Sequence, residues 1–179
     1  MDKEKYNVLF NILSSEQLIL QRTDQKAFTL LSILGVFAVF FMVHYTKIPA
    51  TVFNFTFIFF YFFSVIIAIF YLLLVISPRI RGTEARLKTQ ETKIIPTYFG
   101  GIVKFKDPEE YGTYLKSVLE DTESTFEVFS NSIYSIGRIN SYKNKFLRLG
   151  IFFFIIAITC EIMIIISLYF SIFIERVIP

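Results

Sequence analysis

The sequence predicts an all-α membrane protein with three transmembrane helices and helical cytoplasmic extensions that form a small bundle. Of its 179 residues, 54% are hydrophobic and only 18% are charged, and the mean hydropathy is +0.58. Soluble domains contain about 25% charged residues, so this chain is too apolar to be one. A net charge of +3 and a single cysteine also argue against a charge-driven nucleic-acid binder and a disulfide-stapled secreted domain.

The apolar residues are concentrated in three stretches, and each is long enough to cross a bilayer. A helix needs about 20 apolar residues at 1.5 Å each to cross roughly 30 Å of hydrocarbon. Between Ile48 and Pro78 there are 31 residues without a charge. The only ionisable groups expected to interrupt the other two stretches are His44 and Glu161. The predicted spans are residues 27–46, 52–76 and 149–174.

The distribution of lysine and arginine predicts the orientation, because basic residues favour the cytoplasmic side. Residues 1–26 contain four of them and residues 77–148 contain twelve. The loop 47–51 contains one, and so does the tail 175–179. We therefore expect the amino terminus and the middle segment to be cytoplasmic, and the loop and the carboxy-terminal tail to be external.

The two cytoplasmic segments have helical patterns. In residues 1–26, apolar side chains recur at helical spacing, which predicts an amphipathic helix. In the middle segment, strand-like pieces at 93–95 and 101–105 favour a loop or a short β-hairpin. A long helix is expected from Pro108, with Asp107 as its N-cap, and would reach Arg148 if unbroken. So small a core favours an oligomer.

The sequence does not suggest an enzyme, and we expect no metal and no cofactor. It contains one histidine and one cysteine, and no nucleophile elbow, Walker loop or dinucleotide fingerprint. His44 is expected to be structural, and Cys160 to be a small apolar residue within a span.

Glu161 lies near the centre of the third predicted span. A charge at this depth costs about 2.5–3.5 kcal/mol on insertion scales, so the side chain should face protein or a water-filled path. Two interpretations stay open: Glu161 holds helices together, with Tyr61, Ser64 or Thr159 as partner, or it belongs to a pore or gate.

Polar side chains are clustered where the three spans are expected to meet the cytoplasm. Arginine forks bind phosphate and tyrosine rings stack on bases, so this border suits a phosphate-bearing small molecule. Anchoring to lipid headgroups is the alternative interpretation. The candidate ligand-binding residues are Arg22, Asp24, Lys26, Arg79, Arg81, Tyr98, Arg138, Tyr142, Lys143 and Lys145.

Several short motifs, in this order along the chain, resemble those of the Pycsar transmembrane effectors. They are Thr23-Asp24-Gln25-Lys26-Ala27, Ser77-Pro78-Arg79, Tyr98-Phe99-Gly100-Gly101-Ile102, Glu110-Tyr111, Asn131-Ser132-Ile133 and Lys143-Asn144-Lys145-Phe146-Leu147-Arg148. The resemblance covers roughly residues 15–170. Where that family often has Lys-Tyr before the third span, this chain has Lys143-Asn144-Lys145-Phe146, so either lysine can fill the basic position.

The resemblance implies a role in bacterial antiphage defence. A cyclase partner makes a cyclic nucleotide on infection, the cytoplasmic part of the effector senses it, and the spans then disrupt the inner membrane. It also implies that the polar border binds the cyclic nucleotide. The small core favours a homo-oligomer, and the low net charge argues against nucleic acid as a partner. The alternatives are a constitutive small channel and a membrane-anchoring scaffold subunit, both without nucleotide input.

Overall fold

The computed structural model of the chain describes residues 3–77, 102–103 and 105–177, and within these ranges it contains helices and no strand. Three of the helices include stretches long and apolar enough to cross a membrane. The predicted all-α membrane fold is therefore confirmed. The elements are α1 (Lys3–His44), a 3-10 turn (Tyr45–Lys47), α2 (Val52–Ile76), α3 (Pro108–Glu120) and α4 (Thr122–Val177).

The expected β-hairpin before α3 is not supported. The Phe105 amide donates to the Ile102 carbonyl at 3.2 Å, which closes a turn instead of extending a strand. The Phe105 ring packs 5.3 Å from Tyr111 and 5.2 Å from Tyr114, measured between ring centroids. These contacts hold the segment against the first turns of α3. The other expected strand, residues 93–95, lies outside the described residues.

The start of α3 is as predicted. Asp107 is the N-cap, and its carboxylate accepts a hydrogen bond from the Glu110 amide at 2.7 Å. The Glu110 carboxylate in turn accepts from the Lys106 amide at 2.9 Å. These bonds satisfy backbone donors that a helix start leaves unpaired.

The long helix expected from Pro108 is interrupted at Asp121, which separates α3 from α4. Asp121 has an extended backbone, with φ −99° and ψ 116°. Its carboxylate accepts from the Ser124 hydroxyl at 2.5 Å and from the Ser124 amide at 3.2 Å, so it caps α4. The Thr125 hydroxyl then donates to the Val118 carbonyl at 2.6 Å across the break.

The described residues fall into two compact units. The first contains residues 3–22, 102–103 and 105–142, and the second contains residues 23–77 and 143–177. In the first unit, α1 and α4 are joined by Asn140, whose side-chain amide donates to the Glu16 carbonyl at 2.9 Å and to the Glu16 carboxylate at 2.7 Å. Several of the buried side chains of this unit are polar: Thr125, Ser132 and Asn140.

The second unit is a three-helix bundle with buried positions spaced by three, four or seven residues. This 3.5-residue period is the pattern of left-handed supercoiled helices. The buried positions with this spacing are Thr23, Ala27, Leu34 and Phe41 on α1, Asn54, Tyr61, Val65, Ala68, Leu72 and Val75 on α2, and Lys143, Leu147, Gly150, Ala157, Glu161, Ile164 and Leu168 on α4. Ser64 and Cys160 are buried as well and lie outside the spacing, directly before Val65 and Glu161.

The connection between α1 and α2 is fixed by side-chain caps. The His44 ring bonds the Phe40 carbonyl at 2.9 Å and stacks on the Phe40 ring at the end of α1. Thr51 caps α2 by accepting from the Asn54 amide at 3.3 Å, and the Asn54 side chain donates to the Pro49 carbonyl at 2.8 Å. Seven residues, 45–51, therefore suffice to reverse the chain.

Candidate functional site

An ion pair joins α1 to α4 within the second unit. The Lys143 ammonium lies 2.6 Å from the Asp24 carboxylate. The Lys143 side chain is 8% exposed and that of Asp24 is 31% exposed. Lys143 occupies a buried position of α4, where an unpaired ammonium would be costly, so Asp24 compensates a charge that the bundle would otherwise not tolerate.

The structure locates the candidate ligand residues only in part. Asp24, Lys26, Lys143 and Lys145 belong to the second unit, where Lys26 and Lys145 are exposed. Arg22, Arg138 and Tyr142 belong to the first unit, where both arginines are exposed. Arg79, Arg81 and Tyr98 lie outside the described residues. The structure thus brings two of the candidates, Asp24 and Lys143, into direct contact.

This contact changes what Lys143 can do. With its ammonium held by Asp24, Lys143 is not a free cation, and a phosphate could reach it only by replacing the carboxylate of Asp24. The exposed ammonium groups of Lys26 and Lys145 could bind a phosphate without first giving up a carboxylate. An anion arriving at this border would therefore meet free cations first and the buried one only after an exchange of partners.

Glu161 lies inside the bundle and is 1% exposed. Neither of its carboxylate oxygens has a hydrogen-bond partner within the described part of the chain. Tyr61 on α2 is close enough to this carboxylate to interact with it as a donor, although the pair does not meet strict hydrogen-bond geometry. Thr159, another expected partner, is exposed and donates to the Ile155 carbonyl of its own helix at 2.8 Å. Glu161 thus faces protein, with Tyr61 as its polar neighbour.

A cavity of about 280 Å³ has Glu161 in its wall. The end of α1 contributes His44 and two aromatic rings to this cavity, and the 3-10 turn contributes Lys47. The remaining wall is mostly aliphatic and comes from Ile48 and from α4, with Tyr169 as its further polar group. The cavity therefore joins the buried carboxylate to polar groups at the end of a helix.

Sequence reasoning did not find two features of this arrangement. Glu16 was not recognised as the partner of Asn140, although it stands seven residues before the buried Thr23. A charged residue at that spacing is the signal that could have identified it. The sequence did not indicate that His44 and Lys47 share a cavity with Glu161. No sequence signal could do this, because only the fold brings these residues to one cavity.

Comparison with known protein families agrees with this architecture. The model of the Pycsar effector protein domain matches residues 8–172. The chain belongs to the Pycsar effector family. The Pycsar match covers nearly all of α1 and α4 and the whole of α2 and α3. No curated protein and no solved structure gives a significant match.

Membership of the Pycsar family confirms the resemblance and identifies the chain as an antiphage defence effector of the membrane type. The family implies that a cyclic nucleotide from a cyclase is the signal. The Pycsar transmembrane effectors are not a known enzyme family. The three apolar helices fit a protein of the inner membrane.

Proposed function

We propose that this protein senses a cyclic nucleotide at the cytoplasmic border of its spans and responds by permeabilising the inner membrane, which arrests growth of the infected cell. The observation that carries the proposal is the extent of the family match. Residues 8–172 include nearly all of the three membrane-crossing stretches as well as the described residues between α2 and the third stretch. The membrane helices thus belong to the effector domain itself.

The proposed ligand site centres on the basic residues of the second unit that precede its first and third membrane stretches. Lys26 and Lys145 would bind the phosphate first, and Lys143 would bind it after exchanging Asp24 for the ligand. Arg22, Arg79, Arg81, Tyr98, Arg138 and Tyr142 remain candidate contacts. A ligand shifts a conformational equilibrium only through differential affinity, and the exchange at Lys143 supplies a difference between the free and bound states.

We further propose that the active form is a homo-oligomer. The described part of the first unit has exposed apolar side chains, among them Val8 and Phe10 on α1 and Phe126 on α4, which are 57%, 62% and 53% exposed. Small units of this kind often complete their core by association. Ligand binding and association would then favour the same state, because each stabilises the arrangement that the other requires.

The test uses the full chain in liposomes loaded with a fluorescent dye. Cyclic mono- and oligonucleotides are added one at a time, and dye release is recorded. We expect release with one nucleotide, and loss of that response in Lys26→Ala and Lys145→Ala. Lys116→Ala, which removes an exposed lysine on α3, is the matched control and should respond like the wild type.

Two outcomes would contradict the proposal. Equal release with and without every nucleotide would indicate a constitutive channel. No release under any condition, from protein shown to be inserted and folded, would indicate an anchoring subunit without a permeabilising function of its own. A wild-type response in both lysine variants would overturn the site and leave the function standing.

A further inference from the structure

The cavity beside Glu161 has a buried carboxylate in its wall, and the proposed nucleotide response gives this carboxylate no role. The carboxylate is 1% exposed, and within the described residues neither of its oxygens has a partner at strict hydrogen-bond geometry, Tyr61 being its polar neighbour. An ionised carboxylate in an apolar interior has to be neutralised or hydrogen-bonded. We propose that the Glu161 cavity is a binding site for a monovalent cation, either a hydrated proton or an alkali ion.

The lining of the cavity suits a cation at the carboxylate. Phe40 and Phe41 line the cavity, and aromatic ring faces attract cations. A volume of about 280 Å³ holds several water molecules, since each occupies about 30 Å³ in the liquid. The Tyr61 hydroxyl interacts with the carboxylate from outside the cavity lining. A partly hydrated ion would therefore find a carboxylate and aromatic rings in the wall of the same cavity.

The number of acidic ligands favours a single positive charge. Glu161 is the only carboxylate that lines the described cavity. No group of three or more histidine, cysteine, aspartate or glutamate side chains is placed to hold a metal ion in the described ranges. Calcium takes six to eight oxygen ligands and usually several carboxylates. One carboxylate balances one monovalent cation.

Four other titratable groups face this carboxylate or its cavity. Tyr61 comes from α2 and Tyr169 from α4, while His44 and Lys47 come from the end of α1 and the 3-10 turn after it. Lys47 is exposed, so its ammonium stays hydrated. It carries a positive charge that opposes entry of a cation. Removal of this charge should therefore strengthen binding at Glu161.

One consequence of the cation site rests on the proposed function: the bound cation would set the ion preference of the leak. Binding itself requires no nucleotide. Buried ionisable groups within membrane spans are common in ion and proton pathways. The site would give the permeabilised state a preference for protons or alkali ions over anions.

The experiment measures the protonation state of Glu161 directly, by infrared spectroscopy of the full chain in lipid nanodiscs without nucleotide. Glu161→Gln assigns the carboxyl band, and Glu109→Gln, which changes an exposed carboxylate, is the matched control. For a proton site, the protonated band should appear and disappear with bulk pH. For an alkali site, it should grow at fixed pH when sodium and potassium are replaced by N-methylglucamine.

Lys47→Gln provides the second variant. It should strengthen binding several-fold, seen as a lower alkali concentration or a higher pH at the midpoint of the change. Any carboxyl titrates, so the proposal is overturned if the Glu161 band does not respond to the alkali ion and its pH midpoint is unchanged in Lys47→Gln. It is also overturned if Lys47→Gln leaves the carboxyl protonated under all conditions, since Lys47 would then be its counter-ion. If Glu161→Gln does not fold, Glu161→Asp assigns the band by its shift.

This result is independent of the liposome assay. A protein that releases no dye with any nucleotide can still show a cation-sensitive Glu161 band, which would contradict the proposed function and support the cation site. A protein with a nucleotide response and an insensitive band would give the opposite result.

Discussion

The Lys143 ammonium and the Asp24 carboxylate lie 2.6 Å apart although their residues are 119 positions apart in the chain. The pair ties the first helix of the second unit to the last. Because Lys143 is the more buried partner, the two charges do not contribute symmetrically. Loss of the carboxylate leaves a buried cation, whereas loss of the ammonium leaves an anion that water still reaches.

This asymmetry predicts the outcome of a double-mutant cycle. Asp24→Asn should lower the free energy of unfolding by about 2–4 kcal/mol, because it leaves the buried Lys143 charge without a full counter-charge. Lys143→Met should cost less, and the coupling energy should be about 1–2 kcal/mol. Denaturant unfolding in detergent micelles measures the free energy of unfolding of the wild type, the two single variants and the double variant. Lys26→Met, which removes an exposed charge, is the control, and a cost for it equal to that of Asp24→Asn would refute the explanation.

Gly150 marks a close approach between α4 and α2. A Cβ atom at this position would lie 2.9 Å from Leu72 Cδ2 and 3.1 Å from Leu72 Cγ. Gly150→Ala should therefore destabilise the bundle by about 1–3 kcal/mol through overpacking. Leu72→Ala in the same chain should recover part of this loss, since it removes the atoms that clash.

The control for this substitution is Gly35→Ala on α1, where the added Cβ meets no atom within 4 Å. It should leave stability unchanged or slightly raised, because alanine is the better helix former. Thermal unfolding in the same detergent compares the variants. Equal losses at the two glycines would show that α2 and α4 do not approach closely at Gly150.

The break at Asp121 predicts a pH dependence of the start of α4. The Ser124 hydroxyl, followed by the Glu123 and Ser124 amides, holds the pKa of the Asp121 carboxyl below its usual range. A lowered folded-state pKa gives stability that is present above the unfolded pKa and is lost as the pH falls through the folded pKa. Amide hydrogen exchange in the first turn of α4 should therefore accelerate below about pH 4, after correction for the intrinsic rate.

Two variants distinguish the effect of the Asp121 charge from the effect of its capping hydrogen bonds. Asp121→Asn retains a side-chain acceptor and should show weak pH dependence with a largely protected first turn. Asp121→Ala should expose these amides at all pH values. If Asp121→Ala leaves their exchange rates unchanged, the cap does not stabilise α4.

The predicted orientation can be tested with single cysteines in a Cys160→Ser background. A cysteine at Thr46, in the exposed turn after α1, should react with an impermeant maleimide added to intact spheroplasts. A cysteine at Lys116, exposed on α3, should react only after the membrane is opened. The reverse pattern would contradict the distribution of basic residues as the determinant of topology.

Hydropathy and length predicted the membrane fold because they act locally: an apolar stretch such as Val52–Ile76 has few structures in which its backbone is satisfied within lipid. The break at Asp121 was missed because neither proline nor glycine marks it, although aspartate is itself a favoured N-cap residue. The partnership of Lys143 with Asp24 depends on the rotation of two helices about their axes. One sequence, without packing information, does not specify that rotation.

The 3.5-residue spacing of the buried side chains does not by itself fix how far each helix is shifted along its neighbours. A purely aliphatic seam would pack almost equally well if α4 slid along its neighbours by seven residues, about 10 Å. That slide would separate Glu161 from Tyr61 and Lys143 from Asp24, and would place each polar group against hydrocarbon. The polar residues thus select one alignment of the three helices along one another, which the apolar residues alone would not do. An insertion of seven residues within α4 would therefore preserve the apolar pattern and still misassemble the bundle.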